Sequence, residues 1–383
     1  IIGMHIGFIT SEYPCSRYKG NIGGIATFIR NLSIELISKG HKVSVFIHSQ
    51  SKAEFFVEDN VSIYFVAKKI LKGFTWISNR LSFNKYVNNI VKNNCIDLLE
   101  APEWTGFTAF MKFNCPLILR LHGSDTYFCH LEKRKLKIKN KFFEKKALLG
   151  ATKIVGVSKF VAKKTKELFK LNIDIDVIYN TIDTNKFKPN HQNIQLKSLL
   201  YFGTLVRKKG VLEIAKMFSK LADEDDEVKL VLLGKDNRDV FTEMSTLAMI
   251  KKILSEKALQ RMLYIDAVPY DEVISYIQKA DVVLLPSFAE AFPMTWLEAM
   301  AMEKKLVTSD IGWAKELMID GQTGFTVNPK NHNDFADKVT SLFDDVNSIQ
   351  MGVNARKRIK ESFNSVVIFE KNINFYKKTI NEF

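Results

Sequence analysis

Short runs of β-branched and aliphatic residues alternate along the chain with longer stretches in which apolar positions recur every three or four residues. His5–Thr10 predicts a strand, residues 24–39 an amphipathic helix and residues 42–48 the next strand, a βαβ order that implies a parallel sheet with right-handed crossovers. Leu117–Leu121 and residues 153–157 read as later strands of that sheet. A fresh set begins at residues 199–202 and continues through Lys229–Leu233, Met262–Ile265, Val282–Leu285 and residues 305–308. The fold class is therefore α/β, with two Rossmann-like, doubly wound parallel sheets. The join is expected between residues 183 and 196, where TNKFKPNHQNIQ is polar, carries Pro189 and has no periodicity. The expected domains are residues 1–185 and 196–365, with a terminal helix at about 366–383 packing back on the first. The acidic run 223–227 reads as a helix-to-strand loop in water.

A length of 383 residues suits two such domains. No apolar run reaches the roughly 20 residues of a membrane span, and His5–Thr10 lacks the layout of a signal peptide, so a cytoplasmic protein is expected. Cys15, Cys95, Cys115 and Cys129 are scattered without a CxxC pair, which argues against a disulfide or zinc framework. The formal charge of +14 gains meaning once it is located: residues 1–180 hold 28 Lys/Arg against 14 Asp/Glu, and residues 181–383 hold 28 against 28. Within residues 133–170 there are 14 basic side chains and only Glu144 and Glu167 in opposition. Leu136, Phe142, Phe143, Leu148 and Leu149 are expected to form one helical stripe there, giving a basic amphipathic face suited to anionic lipid or phosphate. The plainer alternative is a solvated lysine-rich face.

The most specific segment is PSFAEAFPMTWLEAMAMEKKLVTSD, residues 286–310. An apolar strand runs into a loop bearing Glu290, and Pro293 suits the first turn of a helix that carries Glu298. Free N–H groups at that helix start, with the positive end of its dipole, make an anion site that fits a diphosphate. Trp296, Leu297, Ala299, Met300 and Ala301 surround Glu298, which therefore needs donors such as vicinal sugar hydroxyls. Taken alone, the segment also reads as an ordinary strand, loop and helix with two surface glutamates. Gly23 and Gly24 allow close backbone approach at a helix start or simply a tight turn. His122 follows Leu117–Leu121 and stands at a strand's carboxyl end.

These pieces together resemble the GT4 family of retaining glycosyltransferases, which have the GT-B fold of two Rossmann-like domains facing across a cleft. Glu290 and Glu298 match its E-x7-E element; Gly23-Gly24-Ile25 its first Gly-rich loop; His122-Gly123-Ser124-Asp125 its HGxD loop; Val157-Ser158 its VS turn; Asn180-Thr181-Ile182-Asp183 its NGVD stretch; Val268-Pro269-Tyr270 its base-binding loop; Asp320-Gly321-Gln322-Thr323-Gly324-Phe325 its DGxTGxL segment. The matches run in order along nearly the whole chain. The stretch GTLVRKKG, residues 203–210, is similar to the phosphate-binding GRLxxxKG element, with Lys209 in the Lys position but Thr204 where the family has Arg. Arg207 or Lys208 could supply the missing charge.

The resemblance implies catalytic roles for Glu290, His122 and Lys209, with Glu290 and His122 at the transferred sugar. It implies donor contacts at Gly24, Thr204, Arg207, Val268, Phe292, Pro293, Met294, Thr295 and Glu298, the last at the ribose. Acceptor contacts are expected at Gly23, Glu103 and Asp125. A nucleotide-diphosphate sugar, with UDP the expected nucleotide, is the substrate implied. No cofactor and no metal are expected. The acceptor would be a glycan or lipid-linked glycan of a lipopolysaccharide, capsule or similar surface polymer, at an anionic inner membrane face.

Other readings are weaker. Asp174-Ile175-Asp176 is a D-x-D, but it stands far from the donor elements. His122, Cys129 and His130 lack a fourth zinc ligand at sensible spacing. Nucleic-acid binding, suggested by the charge, lacks interleaved stacking aromatics. A sugar phosphorylase or a nucleotide-sugar epimerase of the same fold is the nearer rival, although no pyridoxal-phosphate lysine signature stands out.

Overall fold

The computed structural model describes residues 3–20, 22–70, 75–344 and 346–383. It divides into two units, Ile1–Asn180 with Ile368–Phe383, and Thr181–Val367.

The first unit is built on an eight-stranded sheet: β1 His5–Thr10, β2 Lys42–Gln50, β3 Glu54–Glu58, β4 Val61–Ala67, β5 Leu98–Pro102, β6 Leu117–Leu121, β7 Lys153–Gly156 and β8 Asp176–Val177, in the order β3-β4-β2-β1-β5-β6-β7-β8. Every pairing is parallel except the hairpin β3–β4. That hairpin turns on Asp59 and Asn60, both at positive φ (50° and 60°), as a two-residue turn between right-twisted strands requires. The second unit holds β9 Ser198–Phe202, β10 Lys229–Leu233, β11 Met262–Ile265, β12 Val282–Leu285, β13 Lys305–Ser309 and β14 Phe325–Val327, all parallel, in the order β11-β10-β9-β12-β13-β14.

Helices cover both faces of parallel sheets, so the central strands are buried throughout and read as mainly apolar runs; all of β1, β6, β9 and β12 is buried. Each sheet grows one way from its first strand and then the other. β1 lies between β2 and β5, and β9 between β10 and β12. At such a reversal the flanking connections leave on opposite faces and open a crevice at the strands' carboxyl ends. One crevice per unit results.

The helix Ser365–Asn381 puts Ile368, Phe369, Ile373 and Tyr376 into the core of the first unit, against Phe8, Val45, Leu98 and Ile118. A buried polar network fastens it. Arg120 donates twice to Glu100 (2.7 and 3.0 Å) and to Asn372 Oδ1 (2.7 Å), while Tyr376 donates to Glu100 Oε2 at 2.7 Å. The charge pair is thus hydrogen-bonded on several sides, which offsets much of its desolvation cost.

The expected single stripe near residue 142 does not form. In the helix Ile138–Gly150, Phe143, Ala147 and Leu148 are buried, whereas Phe142 and Leu149 are exposed. Adjacent residues are about 100° apart on a helix, and the buried face here is centred on Phe143, Glu144, Ala147 and Leu148, which leaves Phe142 and Leu149 beyond its two edges. Among the described residues no helix is long and apolar enough to cross a membrane.

Candidate active site

In the second unit the loops after β9 and β12 are stitched together across the crevice. Phe288 N–H donates to Lys208 O at 2.7 Å, and Gly210, at φ +76°, lies so close to Pro286 that a Cβ there would come within 2.1 Å of its carbonyl oxygen. Only glycine tolerates both the left-handed backbone and the contact. This fixes the 3₁₀ turn Arg207–Lys209 beside the loop from β12, and Lys209 Nζ pairs with Glu290 Oε1. Glu290 is buried, so the ammonium is its charge partner in a region of little water.

Helix Met294–Ala301 starts at Pro293, and no side chain caps it. Phe292 and Pro293 are buried ahead of it, and Met294 and Thr295 are half-buried in its first turn. The Thr295 methyl group lies 4.0 Å from where a Cβ on Gly203 would stand, which brings the helix start against the loop from β9. Glu298, on the inner face, accepts a 2.6 Å hydrogen bond from Tyr270 OH. Burial pushes the Glu298 carboxyl up to about 7, against the Tyr270 hydroxyl and the charges of Lys186 and Lys209, which pull it down. Tyr270 opens the helix Tyr270–Lys279, two residues after the half-buried Val268.

Thr204 is exposed, and its carbonyl accepts from Tyr201 OH at 2.8 Å. Arg207, the candidate to replace the missing arginine, is already engaged. Its guanidinium is held by Asp239 in a two-pronged pair of 2.7 and 3.0 Å. Asp239 also accepts from Phe241 N, Thr242 N and Thr242 Oγ1, and its pKa is held down to about 2, foremost by Arg207. Arg207 therefore braces the loop after β10. Asp320 accepts from Thr326 N at 2.7 Å, and Gly324 (φ +129°) allows the chain against Leu306, so the DGxTGxL segment folds as a tight turn into β14.

In the first unit His122 follows β6, its ring edge-on to Phe28 at 4.9 Å. Burial, with Arg120 nearby, pushes its pKa down to about 3, so the imidazole is neutral and acts as a hydrogen-bonding group rather than a cation. Gly24 opens the helix Gly24–Ser38, with open space around its Cα. Gly23 precedes it and donates its N–H to Glu12 Oε1 at 3.1 Å.

Glu103 and Asp125 correct the expected acceptor set. Glu103 is 1% exposed, and its oxygens accept from the N–H groups of His122 (3.0 Å) and Gly123 (2.8 Å), so it clamps the turn that presents His122. Burial pushes its pKa up to about 8, opposed by those two donors. Asp125 turns inward to accept from Asn140 Nδ2 at 2.8 Å, and its own N–H donates to Glu144 at 2.9 Å. Both residues shape the site from behind.

Asp239, Glu12 and Glu144 were not anticipated as site groups, and Tyr270 was placed in the base-binding loop without its bond to Glu298. Glu144 carried one signal, a single acid amid lysines flanked by apolar residues. It is fully buried and accepts from Asp125 N, Thr126 N and Thr126 Oγ1.

Residues 182–362 match the glycosyl transferases group 1, and residues 22–186 match glycosyltransferase family 4. An uncharacterized glycosyltransferase of Methanocaldococcus jannaschii is 30% identical over 335 residues, covering 85% of this chain and 86% of its own. The capsular polysaccharide biosynthesis glycosyltransferase CapM of Staphylococcus aureus is 26% identical over 62% of this chain and 65% of its own. HepE of Anabaena, crystallised with UDP, superposes with a TM-score of 0.77 at 18% identity, over 98% of this chain and all of that one. With this overlap in sequence and two parallel-sheet units of GT-B type, the chain belongs to the GT4-like glycosyltransferases.

Proposed function

We propose that this glycosyltransferase moves a hexose from a UDP-sugar to a hydroxyl of a glycan or lipid-linked glycan, with retention and without a metal ion, during assembly of a surface polysaccharide. The observation that carries the reading is the Lys209–Glu290 pair at the β9/β12 crevice, beside the uncapped start of the helix Met294–Ala301. Helix N–H groups and one ammonium suit a diphosphate, and they stabilise it most as it departs with added charge. The bond from the anomeric carbon to the diphosphate oxygen breaks with its electron pair on the diphosphate, and the acceptor oxygen joins the same face as its hydroxyl proton passes to the departing diphosphate oxygen. Glu298, beneath the helix start, suits the ribose hydroxyls. The crystal structures of HepE with UDP and with UDP-glucose favour uridine as the base, and CapM favours a capsule-like polymer.

A peripheral station on an anionic membrane fits the face bearing Lys139 and Lys146, where Phe142 and Ile138 are exposed. Each well-placed lysine contributes about 1 kcal/mol of attraction, screened by salt. Melting curves with UDP and a set of UDP-sugars test the donor reading. A raised Tm that survives EDTA, together with UDP release on adding a polysaccharide acceptor, is expected; no shift with any of them sinks it. Cosedimentation with anionic vesicles at low salt, released at high salt, is expected of the membrane face, and indifference to vesicles at low salt makes a soluble acceptor the better choice.

A further inference from the structure

Tyr270 opens its helix and is 38% exposed, yet its hydroxyl stays 2.6 Å from Glu298 Oε1. A turn far back in the chain keeps it there. Phe187, 2% exposed, meets the Tyr270 ring at 5.9 Å and 60°, close to edge-on. Lys186 sets Nζ 4.9 Å over the same ring while pairing with Asp271 Oδ1, on the residue after the tyrosine. An aromatic edge and a cation over the face are both arrangements that a phenol ring favours.

The turn is itself fixed to the helix it serves. Asp183 Oδ1 accepts from Asn185 N at 2.8 Å and Lys186 N at 3.2 Å, which closes the backbone before Phe187. Arg356, in the helix Val346–Ser362, donates to Thr184 O at 3.2 Å and to Phe187 O at 2.9 Å. The same guanidinium donates to the carbonyl of Ala301, the last residue of the helix that carries Glu298. A side chain placed to recognise a ligand keeps its geometry only when a supporting layer of this kind holds it.

Three groups face Glu298 and favour its ionised form against burial: the Tyr270 hydroxyl, then the Lys186 ammonium, then Lys209 from the turn after β9. Lys186 thus bears on Glu298 both by its charge and by its seat on the tyrosine.

We propose that Lys186 and Phe187 are positioning residues for ribose recognition, holding the Tyr270 ring so that its hydroxyl keeps Glu298 set to receive the ribose hydroxyls of the donor. The inference rests on the donor reading above, and the measurements separate the two.

The test is calorimetry with UDP and its 2′-deoxy analogue, from pH 6 to pH 9, on the full chain and its variants. Wild type at pH 8 is expected to prefer UDP by about tenfold, as loss of a hydrogen bond to a carboxylate implies. Lys186→Met keeps the apolar stem and removes the cation. It should cut that preference at pH 7 by about threefold or more and move the rise in UDP affinity to higher pH, because a carboxyl deprived of a nearby cation ionises later. Lys186→Arg should restore both. Phe187→Leu, with a Tm that certifies folding, should cut the preference across the whole pH range, since ring placement is lost. In a Glu298→Gln background Lys186→Met should have no further effect.

An unchanged preference for UDP in Lys186→Met or in folded Phe187→Leu overturns the assignment. So does an effect of Lys186→Met that is as large in Glu298→Gln, which makes Lys186 a direct contact of the nucleotide. If wild type binds no UDP, the donor reading falls. The support is then judged on Glu298 alone, by NMR titration of isotope-labelled glutamate carboxyls: both substitutions raise its pKa if the turn holds Tyr270 in place, and leave it unmoved if not.

Discussion

In the first unit, backbone N–H groups at the ends of strands and starts of helices are already met by carboxylates: Glu12 on Gly23, Glu103 on His122 and Gly123, and Glu144 on Asp125 and Thr126. In the second unit the helices that follow β9 and β12, Val211–Glu224 and Met294–Ala301, begin at Gly210 and Pro293 without a side-chain cap. Carboxylates brace most of these donors in the first unit, although its helix Gly24–Ser38 also starts without a side-chain cap, and in the second unit the starts at Gly210 and Pro293 are left open. An internal carboxylate rigidifies its loop and forecloses anion binding. An uncapped start carries unsatisfied donors, which a diphosphate can recover. Charge on the first unit is thereby turned to scaffolding, and the second retains the capacity for a charged leaving group.

Substitutions can break this contrast. The largest effect is expected for Glu290→Gln, which leaves Lys209 without its buried counter-charge and removes the carboxylate expected at the transferred sugar; kcat should fall by about 10²-fold or more with donor affinity little changed. Turnover at the wild-type level in folded protein would remove Glu290 from the active site.

Next come two substitutions of equal size and opposite readout. Lys209→Ala should weaken UDP binding by about 1–3 kcal/mol, as loss of a charge-assisted hydrogen bond to phosphate does. Glu144→Gln should cost about 1–3 kcal/mol of stability in urea denaturation, since it disturbs a fully buried acceptor of three hydrogen bonds, and should leave UDP affinity alone. If Glu144→Gln weakens UDP binding as much as Lys209→Ala, the division between bracing and open donors is wrong.

Glu298 gives a pH test. Its carboxyl is raised to about 7, so it is largely neutral at pH 6 and ionised at pH 8. The ionised form accepts hydroxyl donors better, so UDP-glucose affinity should rise by up to about tenfold over that interval, and the profile should be flat in Glu298→Gln. Tyr270→Phe removes a donor that lowers the Glu298 pKa, and should move the rise to higher pH. The smallest effect is expected for Arg207→Ala: because Asp239 holds the guanidinium, UDP affinity should change by less than about twofold, read by calorimetry. Loss of binding there would reinstate Arg207 as the replacement for the arginine that Thr204 lacks.

How far the sequence went can be seen in particular residues. The strands β9 and β12 were legible because both faces of a central parallel strand are buried and the apolar run is nearly unbroken, whereas β11, at the sheet edge and partly exposed, was legible from its aliphatic residues alone. β5 was not, because Glu100 interrupts its run, and its partner Arg120 stands on the neighbouring strand twenty positions on. The β3–β4 hairpin was missed although Asp59-Asn60 is a fair turn signal. Glu290 and Glu298 were visible as a spaced pair on a strand, loop and helix. The pairing of Glu290 with Lys209 was not, since only the adjacency of β9 and β12 brings positions 81 apart together. Glu103 and Asp125 show the opposite error. A polar residue after a strand can face ligand or backbone with identical local sequence, and the choice here was made by distant groups, the N–H groups of 122 and 123 and the side chain of Asn140.

The helix Ser365–Asn381 has a consequence for biosynthesis. A nascent chain leaves the ribosome from its amino end, and domains tend to fold as they emerge. The first unit cannot do so completely: Asn372 and Tyr376, which bind Arg120 and Glu100, and the apolar residues Ile368, Phe369 and Ile373 are translated only after the entire second unit. Until then a buried ion pair lacks two of its partners and a strip of core apolar surface stays uncovered. The second unit is in effect an insertion within the first, and the core of the first unit closes only when the helix Ser365–Asn381 has been made.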